Sequence, residues 1–496
     1  MPKFAPRLWA AFAGLALSLF GVWHLENQRR GLAITPLMVG TTPATIYKRS
    51  GFTEGPAVVI AHGFAGSRQI MEAYALTLAH AGYAAVSFDF EGHGRNPAPM
   101  SGDVTRIDGT TQFLMRETAR VVEAARAIPG VEGRVALLGH SMASDILVRC
   151  AKADPGIKAT VAISMFSEAV TAAEPKNLLM ISGEWESFLR ADALRNARLF
   201  DPAAEEGKTV GDPPENGRRT FVAPHAEHVR VLYSGAALAE ARAWLDTVFG
   251  RTSSSSVAST GGAIVLLLSG LVLLAWPLAS VLPRFEHPPD AIAFKTVLLA
   301  SLIPAALPPL ALRVIDTRFL PVLVADYLTV HLLVYGLVAL AIMMWRGVRI
   351  GHISWLSGLA FAAYGIFVFG GALDRYVASF MPNPERLVVI AAIAARSVPY
   401  MLSESLLIEG GRASLSRVLL VRSSFLASLV AAVALDFERL MFLLIIIPII
   451  VIFFVIFGLM GGWVGRRTLS PPAAGIGLGL ILAWSLGVSF PMFLPS

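Results

Sequence analysis

Eight long apolar stretches in the C-terminal half constrain the fold of this chain more than any other feature. They are separated by short polar loops and lie near 264–282, 296–312, 319–344, 354–372, 387–407, 417–435, 439–464 and 473–494. A helix of about 20 apolar residues crosses the hydrocarbon core of a bilayer. With 55% hydrophobic residues, 15% charged residues and a mean hydropathy of +0.62, the chain is too apolar for one soluble protein. The stretches predict an all-α polytopic transmembrane bundle over residues 263–496.

A further apolar run begins at Leu8, after Lys3 and Arg7. No small-residue cleavage site follows it in the sequence GVWHLENQRR, so residues 1–24 are predicted to be an uncleaved transmembrane anchor and not a signal peptide. Residues 25–250 carry charges throughout and are typical of a globular domain, and the Ser/Gly-rich segment 251–262 is predicted to be a linker. The whole chain would then cross a membrane about nine times.

The distribution of lysine and arginine predicts the orientation, because cytoplasmic loops retain positive charge. With the N-terminus inside, ten basic residues fall in inner segments: Lys3, Arg7, Arg284, Lys295, Arg346, Arg349, Arg412, Arg417, Arg466 and Arg467. Five fall in the opposite short loops: Arg313, Arg318, Arg375, Arg386 and Arg439. Arg29, Arg30 and Arg251 beside the globular domain weaken the bias. We expect an integral protein of the plasma or inner membrane with its globular domain on the non-cytoplasmic side.

Within the globular domain, apolar strands alternate with amphipathic helices, a pattern that predicts a mostly parallel sheet with helices on both faces. Segment 33–48 is predicted to be a leading pair of strands. Six further strands begin near Ala57, Ala84, Arg134, Lys158, Lys176 and Arg218. Helices are predicted near 68–81, 111–128, 142–153, 189–199 and 234–248. Ligands in such sheets bind at the carboxyl ends of the strands.

The sequence Gly139-His140-Ser141-Met142-Ala143 stands between an apolar strand and a helical stretch. A serine in this position, flanked by small residues, is the mark of a nucleophile elbow. The residues two before and two after the serine must be small because the turn is tight. Gly139 and Ala143 meet that limit, so Ser141 is a candidate nucleophile.

Two other strand ends carry the groups that a nucleophilic serine needs, namely a base and an acid that orients it. Gly183-Glu184-Trp185-Glu186 follows one strand and Pro224-His225-Ala226-Glu227-His228 follows the last. Glu186 and His228 are the favoured acid and base, and Glu184 and His225 remain alternatives. In the segment from His62 to Gly66, the backbone amide of Phe64, together with that of Met142, would form an oxyanion hole.

Five motifs in this order make residues 50–250 resemble the α/β-hydrolase superfamily of serine hydrolases: AHGFAGS at 61–67, FDFEGHGRN at 88–96, GHSMA at 139–143, LLMISGEWE at 178–186 and PHAEH at 224–228. The resemblance implies an α/β-hydrolase fold with Ser141 as nucleophile, Glu186 as triad acid and His228 as general base. Ala143 stands where glycine is commoner, and Glu186 where aspartate is commoner. We expect no cofactor, and no metal, because no third ligand completes the pair His225 and His228.

The expected substrate is a small-molecule or lipid ester. Only the short segment MFSEAVTAAEP separates two strands where many relatives insert a lid, so the site should be open. The polar insertion beginning at Asp201 is predicted to be a mobile surface loop. The net charge of +6 is explained mostly by arginines in loops between membrane helices, so no nucleic-acid partner is expected.

Two other functions stay open at this point. In the first, the chain is a transporter or channel whose hydrolase-like domain binds or regulates, since ionisable residues inside apolar runs are functional candidates; these are Asp326, His331, Arg396, Glu404 and Arg422. In the second, it is an acyltransferase that uses the same nucleophile.

Overall fold

The computed structural model describes residues 5–102, 107–287, 289–315, 317, 319–320, 322 and 324–494. Lys3 and Arg318, which enter the charge count above, lie outside the described residues. The chain packs as two compact units. One consists of Phe20–Val265 with Leu373–Ser379 and Pro491–Ser496, and the other of Met1–Leu19, Leu266–Ala372 and Phe380–Phe490.

The first unit is built on a sheet in which the described residues form nine strands. These are β1 (Leu32–Val39), β2 (Thr42–Arg49), β3 (Ala57–Ala61), β4 (Ala84–Phe88), β5 (Val135–His140), β6 (Ile157–Ile163), β7 (Leu178–Gly183), β8 (Thr209–Asp212) and β9 (Asn216–Ala223). Their order across the sheet is β1-β2-β4-β3-β5-β6-β7-β9-β8. The pairs from β4 through β3, β5, β6 and β7 to β9 are parallel, and the strands at the two edges are antiparallel.

Helices cover both faces of this sheet. They are α2 (Glu72–His80), α3 (Gln112–Arg126), α4 (Met142–Ala153), α5 (Ser187–Arg198) and α6 (Gly235–Val248). Alternate residues of β7 show the two faces: Leu179 and Ile181 belong to a core cluster with residues of α2 and α6. Leu178 and Met180 belong to a second cluster with residues of α4 and α5. The predicted α/β-hydrolase fold, a mostly parallel sheet between two helical layers, is confirmed.

The polar insertion after Asp201 differs from its prediction as a mobile loop. Part of it forms β8, which pairs antiparallel with β9 from Thr209↔Arg219 to Asp212↔Asn216. Its polar side chains are used internally. The Arg219 guanidinium pairs with Glu240, and the fully buried Arg218 donates to the carbonyl oxygen of Asn196 at 3.0 Å. A polar composition therefore produced an edge hairpin instead of a mobile loop.

The second unit is helical. Its helices are α1 (Ala5–Gln28), α7 (Gly261–Ala279), α8 (Phe294–Ala311), α9 (Ala325–Trp345), α10 (Trp355–Ala363), α11 (Gly370–Tyr376), α12 (Pro384–Leu407), α13 (Leu415–Leu435), α14 (Phe437–Leu440), α15 (Leu443–Thr468) and α16 (Pro471–Ser489). Parts of α1, α7 and α11 belong to the first unit. In the described part of the chain, nine helical segments are long and apolar enough to cross a membrane, with α10 and α11 counted together in one of them.

Ionisable side chains inside these apolar helices have specific partners. Arg422 donates to the buried Glu404 at 2.8 Å, which forms an ion pair between α13 and α12. Arg396 donates to the carbonyl oxygen of Ala392 at 2.7 Å, and its guanidinium lies 4.7 Å from the centre of the Phe319 ring. Such pairing lowers the cost of placing charge in hydrocarbon, so the polar groups fit a packed bundle.

Candidate active site

Ser141 lies in a strained turn between β5 and α4. Its φ of 55° and ψ of −121° fall in a region that residues with side chains rarely adopt, and such strain is concentrated at functional sites. Its N–H donates to the carbonyl oxygen of Ile163 at 2.8 Å, which ties the turn to the neighbouring strand. A Cβ on Gly139 would lie 2.6 Å from Leu147 Cδ1 and 3.1 Å from the Cβ of Ala143. The tight packing explains why small residues flank Ser141.

Three side chains from separate strand ends form one chain of hydrogen bonds. His228 Nε2 lies 3.0 Å from Ser141 Oγ, and His228 Nδ1 lies 2.6 Å from Glu186 Oε1. Because β5, β7 and β9 run parallel, the segments that follow them meet at one edge of the sheet. The Glu186 side chain is buried, whereas that of His228 is 45% exposed.

Two further groups donate hydrogen bonds to the other carboxylate oxygen of Glu186, Oε2. The N–H of Gly183 donates to Oε2 at 2.6 Å, and the Ser164 hydroxyl donates to Oε2 at 2.8 Å. Burial acts to raise the pKa of Glu186, but the hydrogen bonds from His228, Gly183 and Ser164 outweigh it and lower the pKa below 4.5. The carboxyl group is therefore ionised at neutral pH, and as a carboxylate it accepts the imidazole N–H in a charge-assisted hydrogen bond.

The two alternative residues, Glu184 and His225, form a separate pair. Glu184 Oε2 accepts from the backbone N–H of His225 at 2.6 Å and lies 3.3 Å from its Nδ1. Both side chains are exposed, and within the described residues no hydrogen bond joins either one to Ser141. The described residues also contain no group of three or more His, Cys, Asp or Glu side chains that could hold a metal ion.

The segment with the predicted oxyanion amide packs directly against the serine turn. A Cβ on Gly63 would lie 3.0 Å from Ser141 Cβ and 3.1 Å from His140 Nδ1, and Phe64 follows Gly63. His62 fixes this segment, since its Nδ1 donates to the Gly63 carbonyl at 2.8 Å and its Nε2 accepts from the Phe90 N–H at 3.2 Å. Burial lowers the pKa of His62, which keeps it neutral. Met142 begins α4, where the first N–H groups of a helix lack intrahelical acceptors.

Sequence reasoning missed two residues that hold the site together, Ser164 and His140. His140 is buried, and its Nε2 donates to the backbone oxygen of His228 at 2.9 Å. Burial and the neighbouring His228 lower the pKa of His140 to about 3, so His140 is neutral. Its place beside Ser141 in GHSMA and that of Ser164 directly after β6 were signals that could have identified both.

Three exposed aromatic side chains lie in the segments that carry Ser164 and Glu186. Phe166 is 48% exposed, Trp185 62% and Phe188 67%, and the rings of Phe166 and Phe188 stack with centres 5.6 Å apart. We call these three residues the aromatic flank. Phe166 follows β6, and Trp185 and Phe188 lie on either side of Glu186, so the aromatic flank lies in the segments that carry Ser164 and Glu186.

A comparison with protein families agrees with this fold. Residues 55–189 match the family model described as serine aminopeptidase, S33, also named Hydrolase_4. The match confirms the resemblance to α/β-hydrolases in the N-terminal region, and with the fold it defines this region as a hydrolase domain of that class. No curated protein matches the chain.

Several solved structures are similar to part of the chain at low identity. A hypothetical protein from Pseudomonas aeruginosa is 13% identical, with 43% of this chain and 92% of that chain covered and a TM-score of 0.33. A predicted CIB-like hydrolase from Thermoplasma acidophilum is 14% identical, with 43% and 99% covered and a TM-score of 0.34. A membrane phospholipase A, described as a bacterial virulence factor, is 13% identical, with 50% and 93% covered and a TM-score of 0.31. Likenesses this distant say nothing about substrate.

Proposed function

We propose that this protein is a membrane-bound serine hydrolase that cleaves an ester-type substrate through an acyl-enzyme on Ser141. His228 accepts the Ser141 proton as the oxygen attacks the carbonyl carbon, and it then donates that proton to the leaving alcohol. In the second half His228 takes a proton from water, the hydroxide attacks the acyl-enzyme, and the acid leaves as Ser141 regains its proton. Glu186 stabilises the imidazolium that exists in both halves.

The observation that supports this proposal most strongly is the hydrogen-bond chain from Glu186 through His228 to Ser141. A serine hydroxyl is a weak nucleophile until an oriented base takes its proton. The 3.0 Å contact to His228 Nε2 and the 2.6 Å contact from Glu186 to Nδ1 supply that base and its orientation. A helix-capping serine has no need of either contact.

The amides of Phe64 and Met142 would stabilise the negative charge that develops on the carbonyl oxygen. Met142 is adjacent to Ser141 in the chain, and the close packing of Gly63 against Ser141 Cβ brings the segment containing Phe64 to the same turn. Donors fixed by packing need little reorganisation when charge appears, which is why they are effective in catalysis.

The aromatic flank favours an ester with an apolar acyl group. An exposed apolar surface beside a site marks a place where apolar ligands bind, and these aromatic side chains lie within a few residues of Ser164 and Glu186. Helices of transmembrane length precede and follow the hydrolase domain in the chain. An amphipathic ester that lies in a membrane is therefore a suitable substrate.

Fluorophosphonate labelling of the intact protein in membranes tests the proposal. The wild type should react covalently at Ser141, and Ser141→Ala should abolish labelling. Ser50→Ala, which removes an exposed serine, should label like the wild type. Absence of labelling in folded wild type would contradict an activated nucleophile and would favour a binding or regulatory domain of a transporter.

Two further assays identify the bond that is cleaved and the acceptor of the acyl group. A matched p-nitrophenyl ester and p-nitroanilide with the same acyl group separate ester from amide cleavage, which matters because the matched family model is described as an aminopeptidase. A product that forms only when an alcohol acceptor is added would indicate acyl transfer instead of hydrolysis.

A further inference from the structure

We propose that the helical unit contains a binding site for a phosphate-bearing headgroup, at a cavity remote in sequence from the hydrolase domain. The cavity has a volume of about 400 Å³, which falls within the range of about 300–1,000 Å³ that is usual for ligand sites. Its walls come from three connections: the segment before α8, the one between α9 and α10, and the one between α15 and α16. We call it the basic cavity.

Two arginines give the basic cavity its charge. Arg346 and Arg349 both line it, and within the described residues neither takes part in an ion pair. His287 and His352 also line it, and Asp290 is the one acidic lining residue. Guanidinium groups bind phosphate oxygens through paired N–H donors, so two of them without carboxylate partners suit a phosphate group.

Two other arginines of the helical unit do have carboxylate partners. Arg417 pairs with Glu409 at 2.8 Å, and Arg422 pairs with Glu404 at 2.8 Å. Both of these guanidinium groups are largely buried, with 14% of the Arg417 side chain and 16% of the Arg422 side chain exposed. Arg346 and Arg349 are exposed and line the basic cavity, where a ligand can supply negative charge.

The walls of the basic cavity are held by contacts that do not involve these two arginines. The Ser470 hydroxyl donates to the carbonyl oxygen of His352 at 2.6 Å, and the His352 ring lies against Phe285 with ring centres 3.9 Å apart. On another wall, Glu409 Oε1 accepts from the N–H of Ile292 at 3.3 Å. Loss of the arginines should therefore remove charge and leave the walls in place.

The N-terminus of α8 also favours an anion in the basic cavity. Ala293 and Thr296 line the basic cavity, and α8 begins at Phe294. The N-terminus of a helix carries partial positive charge and favours anions.

A phospholipid headgroup is the favoured source of the phosphate, because the basic cavity lies at the ends of helices long enough to cross a membrane. Basic pockets between membrane helices are a known way of binding anionic headgroups. Inorganic phosphate shares the same chemistry, so an experiment must separate the two sources.

Native mass spectrometry of the full-length protein, released from detergent containing dioleoyl phosphatidylglycerol or dioleoyl phosphatidylcholine, provides the test. The wild type should retain phosphatidylglycerol in preference to phosphatidylcholine. The double variant Arg346→Gln/Arg349→Gln should retain at least about tenfold less phosphatidylglycerol. This is the loss expected when one or more charge-assisted contacts are removed. The double variant Arg30→Gln/Arg313→Gln removes the same charge from exposed positions that do not line the cavity, and it should behave like the wild type.

A parallel arm measures thermal unfolding with millimolar inorganic phosphate in place of lipid. Stabilisation of the wild type and of the control, but not of Arg346→Gln/Arg349→Gln, would support the same site with a soluble anion as its source. Equal lipid retention and equal response to phosphate in both double variants would overturn the proposal. Matching elution and unfolding temperatures without ligand establish that the variants are folded.

Discussion

At the residue scale, the environment of Glu186 separates it from Glu184, two positions away. Glu186 is buried and accepts three hydrogen bonds, whereas Glu184 is 42% exposed beside His225. Because the pKa of Glu186 is lower in the folded than in the unfolded chain, its charge stabilises the fold above the ordinary pKa of 4.5. That stabilisation is lost as the pH falls through the folded-state pKa.

We predict that Glu186→Gln lowers kcat for ester hydrolysis by a factor of about 10³ to 10⁴, since an amide neither fixes the imidazole tautomer nor stabilises the imidazolium. The matched variant Glu184→Gln should stay within about threefold of the wild type, as expected for a group outside the hydrogen-bond chain. Steady-state kinetics with a soluble p-nitrophenyl ester measures both. The reverse ranking would assign the acid to Glu184.

At the element scale, parallel strands explain why the candidate site residues lie together at one edge of the sheet. The segments after β5, β6, β7 and β9 carry Ser141, Ser164, Glu186 and His228, which all meet there. The segment between β6 and β7, where many relatives insert a lid, is short. It bears Phe166, so this segment, which also carries Ser164, exposes an aromatic side chain.

We predict that the aromatic flank selects the acyl chain. Trp185→Ala/Phe188→Ala should lower kcat/KM for a decanoyl ester by about 10- to 100-fold, because each buried methylene contributes about 0.8 kcal/mol, and should leave the acetyl ester nearly unchanged. Leu199→Ala, which removes another exposed apolar side chain, is the control. An equal fall for both esters would indicate damage to the site and not a role in chain selection.

At the scale of the whole molecule, the side of the membrane that the hydrolase domain faces stays a prediction from charge distribution. The chain has one cysteine, Cys150, which is buried. Burial raises the pKa of its thiol to about 12. Because the thiolate is the reactive form, introduced cysteines can be labelled against a low background.

We predict that a membrane-impermeant maleimide labels Lys208→Cys and Arg313→Cys in intact cells, and Arg284→Cys only after permeabilisation. All three positions are exposed, so differences in labelling report the side of the membrane. Labelling of Arg284→Cys in intact cells, with Lys208→Cys protected, would mean the opposite orientation.

Local patterns in the chain were enough to predict the alternation of strands and helices, the apolar helices and the sharp turn at Ser141. Each of these depends on periodicity, apolar length or residue size over a few neighbouring positions. Folding alone brought His228 into contact with Ser141, 87 residues away, and Glu186 into contact with His228, 42 residues away. Glu184 and His225 were left outside this chain of hydrogen bonds. The contacts that His140 and Ser164 make, and the basic cavity, also arose only in three dimensions, because segments distant in sequence form each of them.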